Sequence, residues 1–218
     1  MEEKSITHYR SSHQILLVGE GDFSFSLCLA RAFGTAKNMV ATSLDSRESL
    51  MMKYGDALRN LTELESLGCT ILHEVDVHTM AQHYFLCTMK FDRVIFNFPH
   101  AGFVGRESDT HQIALHKHLV GGFFSNAKFL LSSLGGGGEI HITHKTTHPY
   151  TMWDIKNLAN SEDLVLVGEE GFSQYLYPGY NNKRGAGVLC DQSFRLGACS
   201  TFKFRNGSII PPCLFEFI

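Results

Sequence analysis

The sequence has no CxxC pair, and its six cysteines, Cys28, Cys69, Cys87, Cys190, Cys199 and Cys213, are scattered along 218 residues. That spacing argues against a zinc ribbon or a disulfide frame and fits reduced thiols packed singly. No stretch of 18 apolar residues occurs, and the start MEEKSITHYRSSHQ has neither the basic region nor the apolar core of a leader. Membrane insertion and secretion therefore lack a physical basis, and an intracellular location, cytoplasmic or nuclear and nucleolar, is expected. Strong charge is also missing. With 19 basic and 22 acidic side chains the net charge is -3, so a polyanion would have to be met by a local patch. Neither GxxxxGK[ST] nor GxSxG occurs, which removes a triphosphate-cradling loop and a hydrolase elbow.

The composition that is present, 44% hydrophobic and 19% charged, is that of a globular chain and not of a disordered or fibrous one. Its length suits one α/β domain, assigned to residues 13–205, with an extension over 1–12 and a tail over 206–218. Pro211-Pro212 forbids regular structure in the tail, and its apolar CLFEFI indicates a packing or partner contact.

The run Gln14 to Val18 is apolar throughout and ends on glycine, as a strand buried on both faces does. Phe25 to Phe33 has helical spacing, with Gly34 placed as a C-terminal cap. The alternation continues with strands expected near Met39–Leu44, Thr70–Val75, Asp92–Asn97 and Glu139–Thr143, and helices near Glu48–Leu67, Thr79–Met89 and Gln112–Leu134. Such a pattern implies a mainly parallel sheet with helices on both faces. After a four-glycine break at 135–138, Tyr150–Ala159 reads as a helix and Leu164–Val167 as a sixth strand. Ser200–Phe204 reads as a seventh strand, antiparallel at an edge or inserted beside the sixth. Between these two strands lies an irregular stretch, YPGYNNKRGAG, of the length and polarity that often carries function.

The turn GEGDFS joins the first strand to the first helix, where glycines allow close backbone approach and amide groups point outward. Ser24 stands where a dinucleotide-binding loop has its third glycine, so a pyrophosphate cradle is disfavoured, although a purely geometric turn remains open. Asp45 ends the second strand, where a carboxylate accepts from ribose hydroxyls, and Asp76 ends the third, within reach of an adenine amino group. Each alone reads equally as a helix cap. Together, the three strand ends favour a nucleoside held without phosphate contacts, and S-adenosylmethionine is the expected cofactor. The fourth strand runs into Asn97-Phe98-Pro99-His100 at the same edge. Asn97 can donate and accept hydrogen bonds, Phe98 offers a face to a base, and Pro99 stiffens the exit. Arg106, Lys145, Lys183 and Arg184 are candidate phosphate contacts, with Tyr177 and Tyr180 as stacking partners. No metal is expected, because His141 and His144 point to opposite faces of a strand and His111, His116 and His118 lack helical zinc spacing.

The motifs GEGDFSFS, FDRVIFNFPHAG, GRESD, HITHKT and YPGYNNKRG together resemble the eukaryotic family built on the 25S ribosomal RNA (uridine-N3)-methyltransferase-like domain, over roughly residues 12 to 205. The resemblance implies a Rossmann-like class I fold, S-adenosylmethionine as cofactor and a large-subunit rRNA uridine as acceptor. It places Gly19, Glu20, Gly21 and Phe23 at the methionine end, Asp45 at the ribose, Asp76 at the adenine, and Asn97 to His100 at the target base. Uridine N3 must lose a proton, and His100 is the candidate base; alternatively it only braces its loop. A catalytically silent nucleoside- or partner-binding module, or a methyltransferase acting on another RNA, small molecule or protein, is the competing reading.

Overall fold

The chain alternates strands and helices until residue 145 and then turns back on itself with two antiparallel strands. A computed structural model describes residues 2–134 and 137–207. The central sheet is built from β3 (Ile15–Val18), β4 (Met39–Thr42), β5 (Thr70–Leu72), β6 (Arg93–Asn97), β7 (Glu139–Lys145), β8 (Leu164–Gly171) and β9 (Cys199–Asn206), in the spatial order β5-β4-β3-β6-β7-β9-β8. The first five pair in parallel. β9 inserts antiparallel between β7 and β8, one of its two anticipated positions. The order reverses at β3, so a crevice opens between the carboxyl ends of β3 and its neighbours, the usual ligand position in open α/β sheets.

Alternation along the buried strands feeds two cores. Leu16 and Val18 face Val120, Phe123 and Phe124 of α4 (Thr110–Leu130). Ile15 and Leu17 face Leu27 and Leu29 of α1 (Ser24–Phe33) and Leu61 and Leu64 of α3 (Ala57–Ser66). Gly34 ends α1 at φ 75, with its N–H on Ala30 and Arg31.

Several expected helices are shorter. The stretch expected over Glu48–Leu67 divides into α2 (Arg47–Lys53) and α3, because Tyr54 turns extended and buries its ring. Over Thr79–Met89 the apolar spacing yields only two 3-10 turns, separated where His83 is extended. α4 stops at Leu130, since Leu131 turns extended and bridges Phe91. Tyr150–Ala159 becomes a 3-10 turn followed by α5 (Ile155–Asn160), hinged at Asp154 with φ 57. The segment expected as an extension holds a hairpin, β1 (Ser5–Ile6) and β2 (Tyr9–Arg10), whose Tyr9 packs into the core against Phe25 and His141. Cys28, Cys69, Cys87, Cys190 and Cys199 are free thiols. Cys213 and the expectations for the proline pair and CLFEFI lie outside the described residues, as does part of the glycine break. Among the described residues no helix is long and apolar enough to cross a membrane.

Candidate active site

At the end of β3, Gly19 takes φ +66, and a Cβ there would lie 2.5 Å from the Phe96 ring. Only glycine fits, which leaves the backbone bare on the cavity side. The turn is tied to β4: Glu20 N–H donates to Thr42 O at 2.8 Å, and Ser43 Oγ donates to Glu20 O at 2.7 Å. The Glu20 carboxylate accepts from Ser26 N and Oγ. Burial nevertheless pushes its carboxyl up to about 7, with Asp22 adding to the shift. Phe23 sits at the start of α1 in the left-handed region, φ 61, with its ring fully buried. A non-glycine residue held there is strained.

The carboxyl ends of the next two strands supply acids to the same cavity, a cleft of about 560 Å³. Asp45 does not cap α2; Ser46 does, accepting from Ser49 N at 3.2 Å. Asp45 instead pairs with Lys53 and accepts from Ser49 Oγ. Asp76 accepts from His78 N at 2.9 Å and lies beside a stacked pair of imidazoles, His78 and His118, whose centres are 4.5 Å apart. The volume falls inside the range of about 300–1,000 Å³ typical of small-molecule sites. Its bare backbone, paired acids and apolar wall at Val75 and Val77 fit a nucleoside with a charged amino-acid arm.

The opposite wall is the exit of β6. Among the described residues, both Asn97 side-chain atoms, Oδ1 and Nδ2, are buried there without a hydrogen-bond partner. Orphaned buried amides are rare and call for a functional account. Phe98 is left-handed at φ 49, with its N–H on Thr143 O and its ring edge-on to Phe172 and Phe194.

The following loop is braced by a cluster that sequence reasoning missed. Glu107 accepts from His100 Nε2 at 2.8 Å and from His116 Nε2 at 3.2 Å. Burial opposes ionisation, but these two bonds hold Glu107 down at about 2. Each imidazole accepts a backbone N–H at Nδ1, His100 from Gly102 and His116 from Ala101. At His100 that fixes the tautomer with Nε2–H aimed at Glu107, whereas His116 Nε2 lies between Glu107 at 3.2 Å and Gln112 Nε2 at 2.9 Å; the polar atoms of the trio lie within 4.8 Å of one another. Gln112 completes it, accepting from Val104 N and Gly105 N and donating to Gly102 O. Four intervening residues separate the HAG turn from Glu107, a spacing without a recognisable signature.

Of the residues expected from sequence, the cavity gathers Gly19, Glu20, Gly21, Asp45, Asp76, Asn97, Phe98, His100, Tyr180, Lys183 and Arg184. Phe23 and Pro99 are buried and do not line it. Tyr177 is only 4% exposed, parallel to Phe172, with its hydroxyl on Thr7, so it belongs to the core and has no face for a base. Lys183 is neutralised by Asp191 and Asp22. Lys145 does not line this cavity and lies over the Tyr150 ring, and Arg106 is exposed on the loop before α4.

The sequence matches the BMT5-like family, described as rRNA (uridine-N3-)-methyltransferase BTM5-like, over residues 16–184. The chain belongs to this family. BMT5-like membership makes it an S-adenosylmethionine-dependent methyltransferase with RNA as its substrate class. It is 53% identical to Uncharacterized protein At4g26485 of Arabidopsis thaliana, across 94% of this chain and 99% of that protein. Heavy metal-associated isoprenylated plant protein 41 of Arabidopsis thaliana is also 53% identical across 94% of this chain, which spans only 39% of its length. Among solved structures, the fibrillarin pre-rRNA processing protein of Methanococcus jannaschii superposes with a TM-score of 0.50 at 13% identity, covering 89% of this chain and 66% of that one. That likeness shows the fold, a Rossmann-like sheet of the methyltransferase type.

Proposed function

We propose that this BMT5-like protein transfers a methyl group to N3 of a uridine in ribosomal RNA. The observation that carries the reading is the unpartnered Asn97 amide, held in the cavity beside the glycine turn. When bound, S-adenosylmethionine supplies an electrophilic sulfonium methyl. The chain's own residues hold it: the bare Gly19–Gly21 backbone and Glu20 take the amino-acid arm, with Phe23 shaping the turn from behind. Asp45 accepts from the ribose hydroxyls, and Asp76 receives the adenine amino group.

Uracil N3 becomes nucleophilic only as its proton leaves and charge spreads onto O2 and O4. Asn97 Nδ2 donates to one of these oxygens and stabilises that charge, while Phe98 and Pro99 keep the strand exit rigid. His100 is the proton acceptor of this proposal. Glu107 on Nε2–H fixes the tautomer whose lone pair is on Nδ1. That lone pair accepts from Gly102 N–H at 3.1 Å, a bond that has to give way for the proton to be taken up. An rRNA acceptor implies an intracellular site of action, nucleolar or cytoplasmic.

The test is incubation with tritiated S-adenosylmethionine and total cellular RNA, followed by nucleoside analysis. Label in 3-methyluridine of large-subunit rRNA supports the proposal. Label confined to another nucleoside or to protein, or none with active cofactor, rejects it.

A further inference from the structure

Two cations beside the cavity lack the carboxylate partners that their neighbours have. Lys53 pairs with Asp45, and Lys183 with Asp22 and Asp191. Lys145 and Arg184 make no ion pair among the described residues, and each lies over aromatic faces. Lys145 Nζ is 4.7 Å from the Tyr150 ring centre and 4.9 Å from that of Phe194, and the Arg184 guanidinium is 4.9 Å from Phe103. Arg184 Nε is buried without a hydrogen-bond partner among the described residues. Lys145 is held below the ordinary lysine range by burial, a cost that an arriving anion would offset. Phe103 is 44% exposed.

We propose that the shelf of Phe103, Tyr150 and Phe194 under Lys145 and Arg184 binds the unpaired RNA strand flanking the target nucleotide, so that the acceptor comes from a single-stranded or looped region and not from a duplex. This rests on the RNA methyltransferase reading. Cations paired with ring faces match a chain in which phosphates alternate with bases, and a ring can stack only on a base whose face is free. The residues assigned to the acceptor line a cleft, which a base reaches only out of its helical stack. The overall charge of -3 leaves strand attraction to such a local patch.

The experiment is fluorescence anisotropy with a labelled single-stranded RNA of about 12 nucleotides containing one uridine, the same strand annealed to its complement, and an acidic peptide as competitor, at about 50–200 mM salt. The single strand is expected to bind at least about tenfold more tightly than the duplex, and Phe103→Ala to weaken it about 5- to 150-fold, as loss of one stacked base does. Phe103→Leu, which keeps the bulk, should lose the same stacking. A Lys145→Ala/Arg184→Ala protein should show a salt slope reduced by about 1.4, the value for two single-strand phosphate contacts. Lys145→Ala/Phe103→Ala should keep the wild-type affinity for S-adenosylmethionine, since neither residue lines the main cavity. Equal binding of the duplex, an unchanged salt slope or preferential binding of the peptide overturns the inference. Shelf-dependent strand binding without methyl transfer to any RNA would support the shelf and sink the RNA methyltransferase reading.

Discussion

Glu20 offers a perturbation whose size can be worked out in advance. It is half-buried in the glycine turn, and in the ligand-free protein burial lifts its carboxyl from 4.5 to about 7. Its ionised fraction therefore rises from roughly a tenth at pH 6 to roughly nine tenths at pH 8. The arm of S-adenosylmethionine assigned to this turn carries an ammonium, and binding a cation selects the ionised carboxylate. The association constant should thus rise about tenfold between pH 6 and pH 8 through this group. Stability moves the other way. Because the folded value is raised, the contribution of Glu20 to the ligand-free protein is fully present below about 4.5 and is lost as pH rises through about 7. Calorimetric titration across this range, on wild type and Glu20→Gln, is the assay; the variant keeps any titration belonging to the ligand and removes that of the protein. Glu20→Gln should show the shallower pH dependence and, without ligand, lose less thermal stability from pH 6 to pH 8. Identical pH profiles for the two proteins would refute the placement of the ammonium beside Glu20.

Other outcomes follow from single contacts. Asn97→Ala removes a buried amide that has no partner, so thermal stability should be unchanged or higher and cofactor affinity kept, while the methyl-transfer rate falls about 100-fold or more; a destabilised but active variant contradicts the role. Gly19→Ala forces a Cβ against Phe96 at φ +66 and should cost on the order of 1–3 kcal/mol in denaturant unfolding, with loss of cofactor binding. Tyr177→Phe removes only the 3.0 Å hydroxyl contact with Thr7 and should cost about 1 kcal/mol without weakening RNA binding. For His100→Gln, turnover should fall by about 10²–10⁴ with cofactor affinity intact, and full turnover eliminates His100 as the base.

Legibility in the sequence followed locality. The glycine turn, Asp45, Asp76 and Asn97 stand at carboxyl ends of parallel strands, so strand patterning alone brings them to one edge, and the structure assembles them there. The burial of Tyr177 is not legible in the sequence, because the rings that cover it, Phe25 and Phe172, come from α1 and from just beyond β8. Lys183 read as a free cation because its acids lie at Asp22, far back in the chain, and at Asp191, across a loop. The Glu107 brace joins a loop to α4 through two imidazole tautomers that no spacing rule encodes. The expected helix over Thr79–Met89 failed for a different reason: apolar spacing reports a buried face, and two 3-10 turns against α4 bury Met80 and Leu86 equally well.

The central claim is that one nucleoside cofactor lies across the ends of β3, β4 and β5 with its reactive end toward Asn97. A crystal structure of the protein soaked with S-adenosylhomocysteine tests this most directly. The ribose is expected on Asp45, the adenine beside Asp76 and the sulfur facing Asn97; a ligand bound elsewhere, or a cleft closed by its own side chains at saturating ligand, would rule this binding mode out.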